Sequence, residues 1–174
     1  MQRYRNRVKG YPVKARSRKE IEDAAFILRR EVGFGDILYF PIIPFIESFP
    51  GLNFEVYGPD DKNARYPGVT EPQQCSLRLR EDIYQKARKG VGWARGIAAH
   101  EFGHFFLKHE VVFAKMSIEP KHKRYEDSEW QANVFYSGLL APKRLIRGLS
   151  SQEIAQKCGI AFKAAEYLLR LRRP

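Results

Sequence analysis

The run His100-Glu-Phe-Gly-His104 holds the residue types and spacing best suited to chemistry. Residues i and i+4 of a helix share a face, with Cβ atoms roughly 6 Å apart. Two imidazoles placed so can both ligate one zinc ion at about 2.1 Å. Glu101 is rotated just off that face, so it can approach a water on the metal rather than the metal itself. That is where a general base must stand. Ile97, Ala98, Ala99, Phe102, Phe105, Phe106 and Leu107 enclose the pair, which predicts a buried helix rather than a surface helix with two solvated histidines. Gly103 inside it costs about 1 kcal/mol against alanine. Close approach of another backbone, or room for a substrate, would justify it.

A catalytic zinc usually has three protein ligands and one open position. His109 lies five residues beyond His104, about 140° round a continued helix, and is expected to point away. The better source is a second helix. Glu129-Trp-Gln-Ala-Asn133 puts a carboxylate and an amide on one face. Glu129 can ligate, and Asn133 can hold an imidazole N–H and so fix a ligand's tautomer. On spacing alone Glu126, Glu110 and His122 compete for the third place. Tyr125, Tyr136 and His122 are candidate oxyanion donors.

The elements that must position these residues follow from pattern. Ser17-Arg-Lys-Glu20 reads as a capping box, and Ile21, Ala24, Ala25 and Leu28 follow at helical spacing up to Gly33. An irregular helical or extended segment covers residues 36–48. Asn53 to Tyr57 reads as a strand, a short strand is expected within 65–70, and Cys75, Leu77 and Leu79 alternate with polar residues as a half-buried strand does. The zinc helix is expected over 92–109. A second helix runs from Glu129 to Leu140 and stops before Pro142. Ser150-Ser-Gln-Glu153 opens a helix through Lys157, Gly159 turns the chain, and a last helix covers about 162–171. The expected fold is α+β, with helices around a small antiparallel sheet and the zinc helix central.

The chain has 174 residues, enough for one self-sufficient core. No apolar run reaches the roughly 18 residues of a membrane span, and no apolar stretch follows the basic N-terminal residues as in a secretory leader. A cytoplasmic protein with no membrane partner is expected, with Cys75 and Cys158 reduced. Lys plus Arg is 31 against 20 Asp plus Glu, a net charge of +11. Arg3, Arg5, Arg7, Lys9, Lys14, Arg16, Arg18 and Lys19 fall in the first 19 residues with no acid among them. Residues 1–16 read as a flexible basic arm able to meet nucleic acid without sequence preference. Residues 17–142 form the metal-binding domain, and 143–174 a helix-turn-helix-like extension that includes Arg170, Arg172 and Arg173. Its second helix offers few groove-reading residues, chiefly Lys163, Glu166 and Arg170, with Phe162 and Tyr167 beside them.

The stretch Arg95 to His109, with Glu129-Trp-Gln-Ala-Asn-Val-Phe135 and Leu139-Leu-Ala-Pro142, resembles the ImmA/IrrE metallopeptidases, whose pattern is HExGH followed by roughly ExxANxFA…LLMP. The resemblance extends over about residues 17–171. Ala141 stands where the family has methionine, and Tyr136 where it has a small residue. Matching by position, the resemblance makes His100, His104 and Glu129 the zinc ligands and Glu101 the catalytic base. It implies a thermolysin-like zinc site and an intracellular zinc-dependent endopeptidase, with a helix-turn-helix transcriptional repressor as its protein substrate. The rival expectation is a DNA-binding or toxin–antitoxin regulator whose zinc is structural.

Overall fold

Ser17 and Glu20 satisfy one another's amides. Glu20 N donates to Ser17 Oγ at 3.2 Å, and Ser17 N donates to Glu20 Oε2 at 2.6 Å. This reciprocal cap opens α1 (Arg18–Glu31) in the computed structural model, which describes residues 10–109 and 122–171. Arg3, Arg5, Arg7, Lys9, Glu110, Lys121, Arg172 and Arg173 lie outside the described residues. After α1 come α2 (Ile42–Glu47), β1 (Asn53–Tyr57), β2 (Gly68–Glu71), β3 (Ser76–Arg80), α3 (Glu81–Arg88) and α4 (Gly92–Phe106). The chain continues through α5 (Ser128–Leu140), α6 (Ser151–Cys158) and α7 (Phe162–Arg170). The architecture is α+β. No helix among the described residues is long and apolar enough to cross a membrane.

The sheet has the order β1-β3-β2. β2 and β3 form an antiparallel pair, with Thr70 opposite Leu77. β1 and β3 run parallel, with Phe54 opposite Leu77 and Val56 opposite Leu79. The sheet is therefore mixed, where an antiparallel one was expected. The chain leaves β1 and lays down β2 first. A 3-10 turn over Pro72–Gln74, with Cys75 at φ +50°, then brings β3 back between them. β3 runs against β2 and with β1, so the two outer strands point in opposite directions. Helix α3, which the sequence reading passed over, follows β3 without a break. Glu81 and Asp82 in its first turn and Lys86 and Arg88 in its last suit the helix dipole, and it buries Ile83 and Ala87.

Helix α4 is apolar over most of its surface because other elements cover most of it. Phe102 meets Phe45 and Phe49 edge to face at 5.1 Å each, and Phe45 meets Phe40 at 5.0 Å. On the opposite side lies α5, where Phe135 stacks on Phe106 at 4.9 Å. Gly103 faces this crossing. A Cβ there would stand 3.3 Å from Ala132 O and 3.4 Å from its Cα. The glycine thus serves close backbone approach, one of the two reasons anticipated for it.

Two buried arginines tie the layers together without a carboxylate. Arg29, fully buried, donates to the carbonyls of Leu139, Ile37 and Phe34. Arg95 on α4 donates to Gly159 O at 2.8 Å, Phe40 O at 2.7 Å and Tyr39 Oη at 2.6 Å. The α6–α7 turn is thereby fastened to the central helix. Ile154, Cys158, Ala165 and Leu168 belong to the same core as Phe102 and Leu79, so the helix-turn-helix-like extension packs as part of one body. Lys163, Tyr167 and Arg170 are exposed. Cys75 is exposed, Cys158 is buried, and both are free.

The expected flexible arm is corrected over residues 10–16, which are docked. Val13 N donates to Glu126 O at 2.8 Å and Arg16 N to Tyr125 O at 3.1 Å, and Pro12 forms a bridge with Asp127. Backbone pairing to a remote segment left no trace in local composition.

The arginine anchors generate a stability prediction. Replacing Arg95 with leucine strands at least two buried carbonyls, each costing about 1–3 kcal/mol. Arg95→Leu is expected to lower the urea unfolding free energy by on the order of 3 kcal/mol, while exposed Arg30→Leu stays within about 0.5 kcal/mol. Equal effects for the two would refute the anchoring role.

Candidate metal centre

His100 and His104 sit one turn apart on α4 and face α5. Their Nε2 atoms are 3.1 Å apart. Asp127 caps α5, its Oδ1 accepting from Trp130 N at 2.7 Å, and so fixes the first turn that carries Glu129. The Glu129 carboxylate straddles the imidazoles, with Oε2 at 3.2 Å from His100 Nε2 and Oε1 at 3.3 Å from His104 Nε2. The three side chains form the one cluster of potential metal ligands found among the described residues. Ligands at roughly 2.1 Å on a tetrahedral ion stand about 3.4 Å from one another. The three donors already hold nearly those separations, and two imidazole nitrogens facing a carboxylate call for a cation or proton between them. The donor set fits zinc, among divalent ions, and the Glu129 side chain is 38% exposed, so the cluster opens to solvent.

The electrostatics agree. Hydrogen bonds from His100 and His104 hold the Glu129 carboxyl far below the usual carboxylate range, outweighing its burial. Burial opposes charge on His100. Its hydrogen bond to Glu129, with the charges of Glu101 and Glu129, outweighs that and raises its pKa overall.

Glu101 stands apart from the three converging donors. Its carboxylate Oε2 accepts from the Thr70 hydroxyl of β2 at 2.7 Å. Gly68, two residues earlier on the same strand, leaves the room, since a Cβ there would stand 2.6 Å from Glu101 Cγ. Edge strand β2 thus holds the carboxylate beside the three candidate ligands rather than among them.

No family model matches the chain, and no curated protein matches it. Among solved structures it is similar to a Mycobacterium tuberculosis transcriptional regulator, with a TM-score of 0.56 and 14% identity over 90% of this chain. The chain spans 48% of that protein's length. At that identity the likeness is one of fold.

Of the residues singled out from sequence, His100, His104 and Glu129 come together, and Glu101 lies beside them. Asn133 donates to Glu129 O at 2.8 Å, and its amide adds a minor contribution favouring the protonated His100 ring. Two of the competing ligands, Glu126 and His122, are engaged elsewhere, and Glu110 lies outside the described residues. Glu126 Oε2 accepts from Lys123 N at 2.8 Å, and His122 Nε2 lies 3.0 Å from Asp127 Oδ2. Tyr125 is 40% exposed. Tyr136 packs on Gly96, and burial pushes its phenol up to about 12.

His109 corrects the expectation that it points away. Helix α4 ends at Phe106, and Lys108 takes φ +51°. His109 N donates to His104 O at 3.0 Å and Lys108 N to Phe105 O at 3.0 Å, the paired bonds of a Schellman turn. The turn folds His109 back so that its Nδ1 lies 2.9 Å from His104 Nδ1 and its Nε2 lies 3.0 Å from Gln131 Oε1. Burial, then the neighbouring His104, lowers its pKa to about 4. A glycine at position 108 would have signalled the turn; lysine hid it.

Two outcomes follow. Purified protein is expected to carry about one zinc per chain by elemental analysis; His100→Ala and His104→Ala abolish it, and Glu129→Ala weakens it. Full metal retention in both histidine variants would dismiss the site. A proton on His100 excludes a metal there, and its raised pKa makes protons stronger competitors. Zinc affinity, read by titration, should therefore begin to fall above pH 6.5 as the solution is acidified.

Proposed function

We propose that the chain is a zinc-dependent endopeptidase acting on an intracellular protein, with a helix-turn-helix transcriptional repressor as the substrate class. The observation that carries this reading is Glu101. A metal held only for structure has no use for an unligated carboxylate beside it, oriented by Thr70. Zinc, when bound, supplies Lewis acidity to an attacking water and to the scissile carbonyl. Glu101 accepts the water's proton and delivers it to the leaving amide nitrogen. Its anchored carboxylate enters the reaction already oriented, so little reorganisation is needed. The resemblance of the two helical motifs to the ImmA/IrrE metallopeptidases supports the substrate class.

A second reading is a regulatory DNA-binding protein with a structural zinc. It draws on the neighbour of similar fold, which is a transcriptional regulator. The two readings separate at Glu101. In the peptidase, Glu101→Gln keeps zinc and loses hydrolysis by roughly 10²–10⁴-fold, followed by mass spectrometry on a helix-turn-helix repressor and on a peptide library. If Glu101→Gln loses zinc while Glu129→Ala keeps it, the assigned roles are wrong. If the zinc-loaded wild type cuts nothing and binds one duplex strongly over others, the second reading replaces the first.

A further inference from the structure

We propose that residues 10–16 are a working part of the metal centre, because through Gln131 and His109 they fix which nitrogen of His104 carries the proton. This inference rests on reading His100, His104 and Glu129 as metal ligands.

The proton order can be read from groups whose roles are not adjustable. Gln131 is fully buried. Its amide nitrogen lies 2.8 Å from Lys14 O and 2.8 Å from Tyr125 O. Carbonyl oxygens only accept, so the NH₂ end of the amide must face them. The other end, Oε1, faces the Arg16 guanidinium at 3.2 Å, which only donates, and His109 Nε2 at 3.0 Å. An amide oxygen cannot donate, so His109 Nε2 must carry a hydrogen. His109 is 1% exposed and shares its acceptor with a guanidinium, which favours the neutral ring. A neutral imidazole has one N–H, which leaves His109 Nδ1 as a lone pair. At 2.9 Å from it, His104 Nδ1 must then be the donor. With the His104 hydrogen held at Nδ1, Nε2, which faces His100 and Glu129, is the nitrogen left to ligate a metal once it releases any proton it shares with Glu129. Had the chain been polarised the other way, His104 Nε2 would bear a hydrogen and could not ligate.

Both ends of this relay are held by the N-terminal segment. Lys14 O is one of the two acceptors that orient Gln131, and Arg16 supplies the cation on its oxygen. Tyr11 donates its hydroxyl to His109 O at 3.0 Å, pinning the returned loop. The segment is itself clamped to the start of α5. Gly10 N donates to Asp127 Oδ2 at 2.9 Å, Tyr11 N to Ser128 Oγ at 3.2 Å, and Ser128 N to Tyr11 O at 3.1 Å. Gly10 is a fitted position: a Cβ would stand 2.3 Å from Ser128 Oγ and 2.7 Å from Glu129 N. His109 and Gln131 are thus positioning residues, and the segment holds them in order. Coupling is reciprocal, so a segment that favours metal binding must itself be held more firmly when the metal is bound.

The test uses the full chain and zinc alone as the probe. In zinc-free protein at neutral pH, ¹⁵N-detected imidazole spectra should show His104 protonated at Nδ1. Val13→Pro removes the amide that ties the segment to Glu126. It should weaken zinc binding about 10–100-fold, as should Gln131→Leu, each with wild-type circular dichroism. Amide exchange at Val13 and Arg16 should slow when zinc is added to the wild type, a readout that needs no variant to fold. His104 found bare at Nδ1 overturns the relay. Unchanged zinc affinity in both variants, or exchange at Val13 and Arg16 indifferent to zinc, overturns the role of the segment. A wild type that binds no zinc refutes the metal-centre reading instead, while the His104 spectrum still decides the proton order.

Discussion

The near contact of two helix backbones, at Gly103 of α4 and Ala132 of α5, sets the scale for everything else. With one more carbon at position 103, the Phe135 ring and the Ala132 backbone would have to give by a few tenths of an ångström. Glu129 lies one turn before the crossing on α5, and His100 and His104 flank it on α4. The spacing between a carboxylate and two imidazoles is therefore decided by a residue with no functional group. The phenylalanine cluster on one face of α4 and Phe135 on the other press the crossing shut. Packing interiors of this density transmit small displacements rather than absorbing them.

The parts of the centre visible in the sequence are those encoded by short spacing. His100 and His104 are four apart, Glu129 and Asn133 are four apart, and the Ser17–Glu20 cap is three apart. Helical geometry turns each spacing into a shared face, so no knowledge of the rest of the fold is needed. The Glu101 partner was not visible in this way. Thr70 lies 31 residues from Glu101, and only tertiary packing of β2 against α4 brings them together. The same holds for His109, Gln131 and Lys14. Their association depends on a turn built by a lysine in a left-handed conformation and on pairing between segments 117 residues apart.

Charge was the least reliable guide to structure. Eight cations in the first 19 residues suggested a solvated arm, yet Arg16 is bonded to a buried glutamine and Lys14 contributes its carbonyl rather than its ammonium. Arg29, which looks like an ordinary member of a basic amphipathic helix, and Arg95, the one arginine of apolar α4, are buried among backbone carbonyls. A guanidinium offers five donors in one plane, so it can close off several helix ends and loops at once. The fold uses its cations as backbone connectors in places where composition suggests only surface.

The packing of β2 against α4 carries one more consequence. Gly68 and Thr70 both face α4, while Val69 between them does not share their role. Side chains in a strand alternate in direction, so sliding β2 by one residue would exchange the two sets. Val69 would then press a branched side chain into the place where even a single carbon meets Glu101, and Glu71 would bring a second negative charge toward the first. The helix that carries the candidate metal ligands therefore also proofreads the sheet. A mispaired hairpin cannot close over Glu101, and strand alignment and a correctly seated carboxylate are accepted or rejected together as the chain folds.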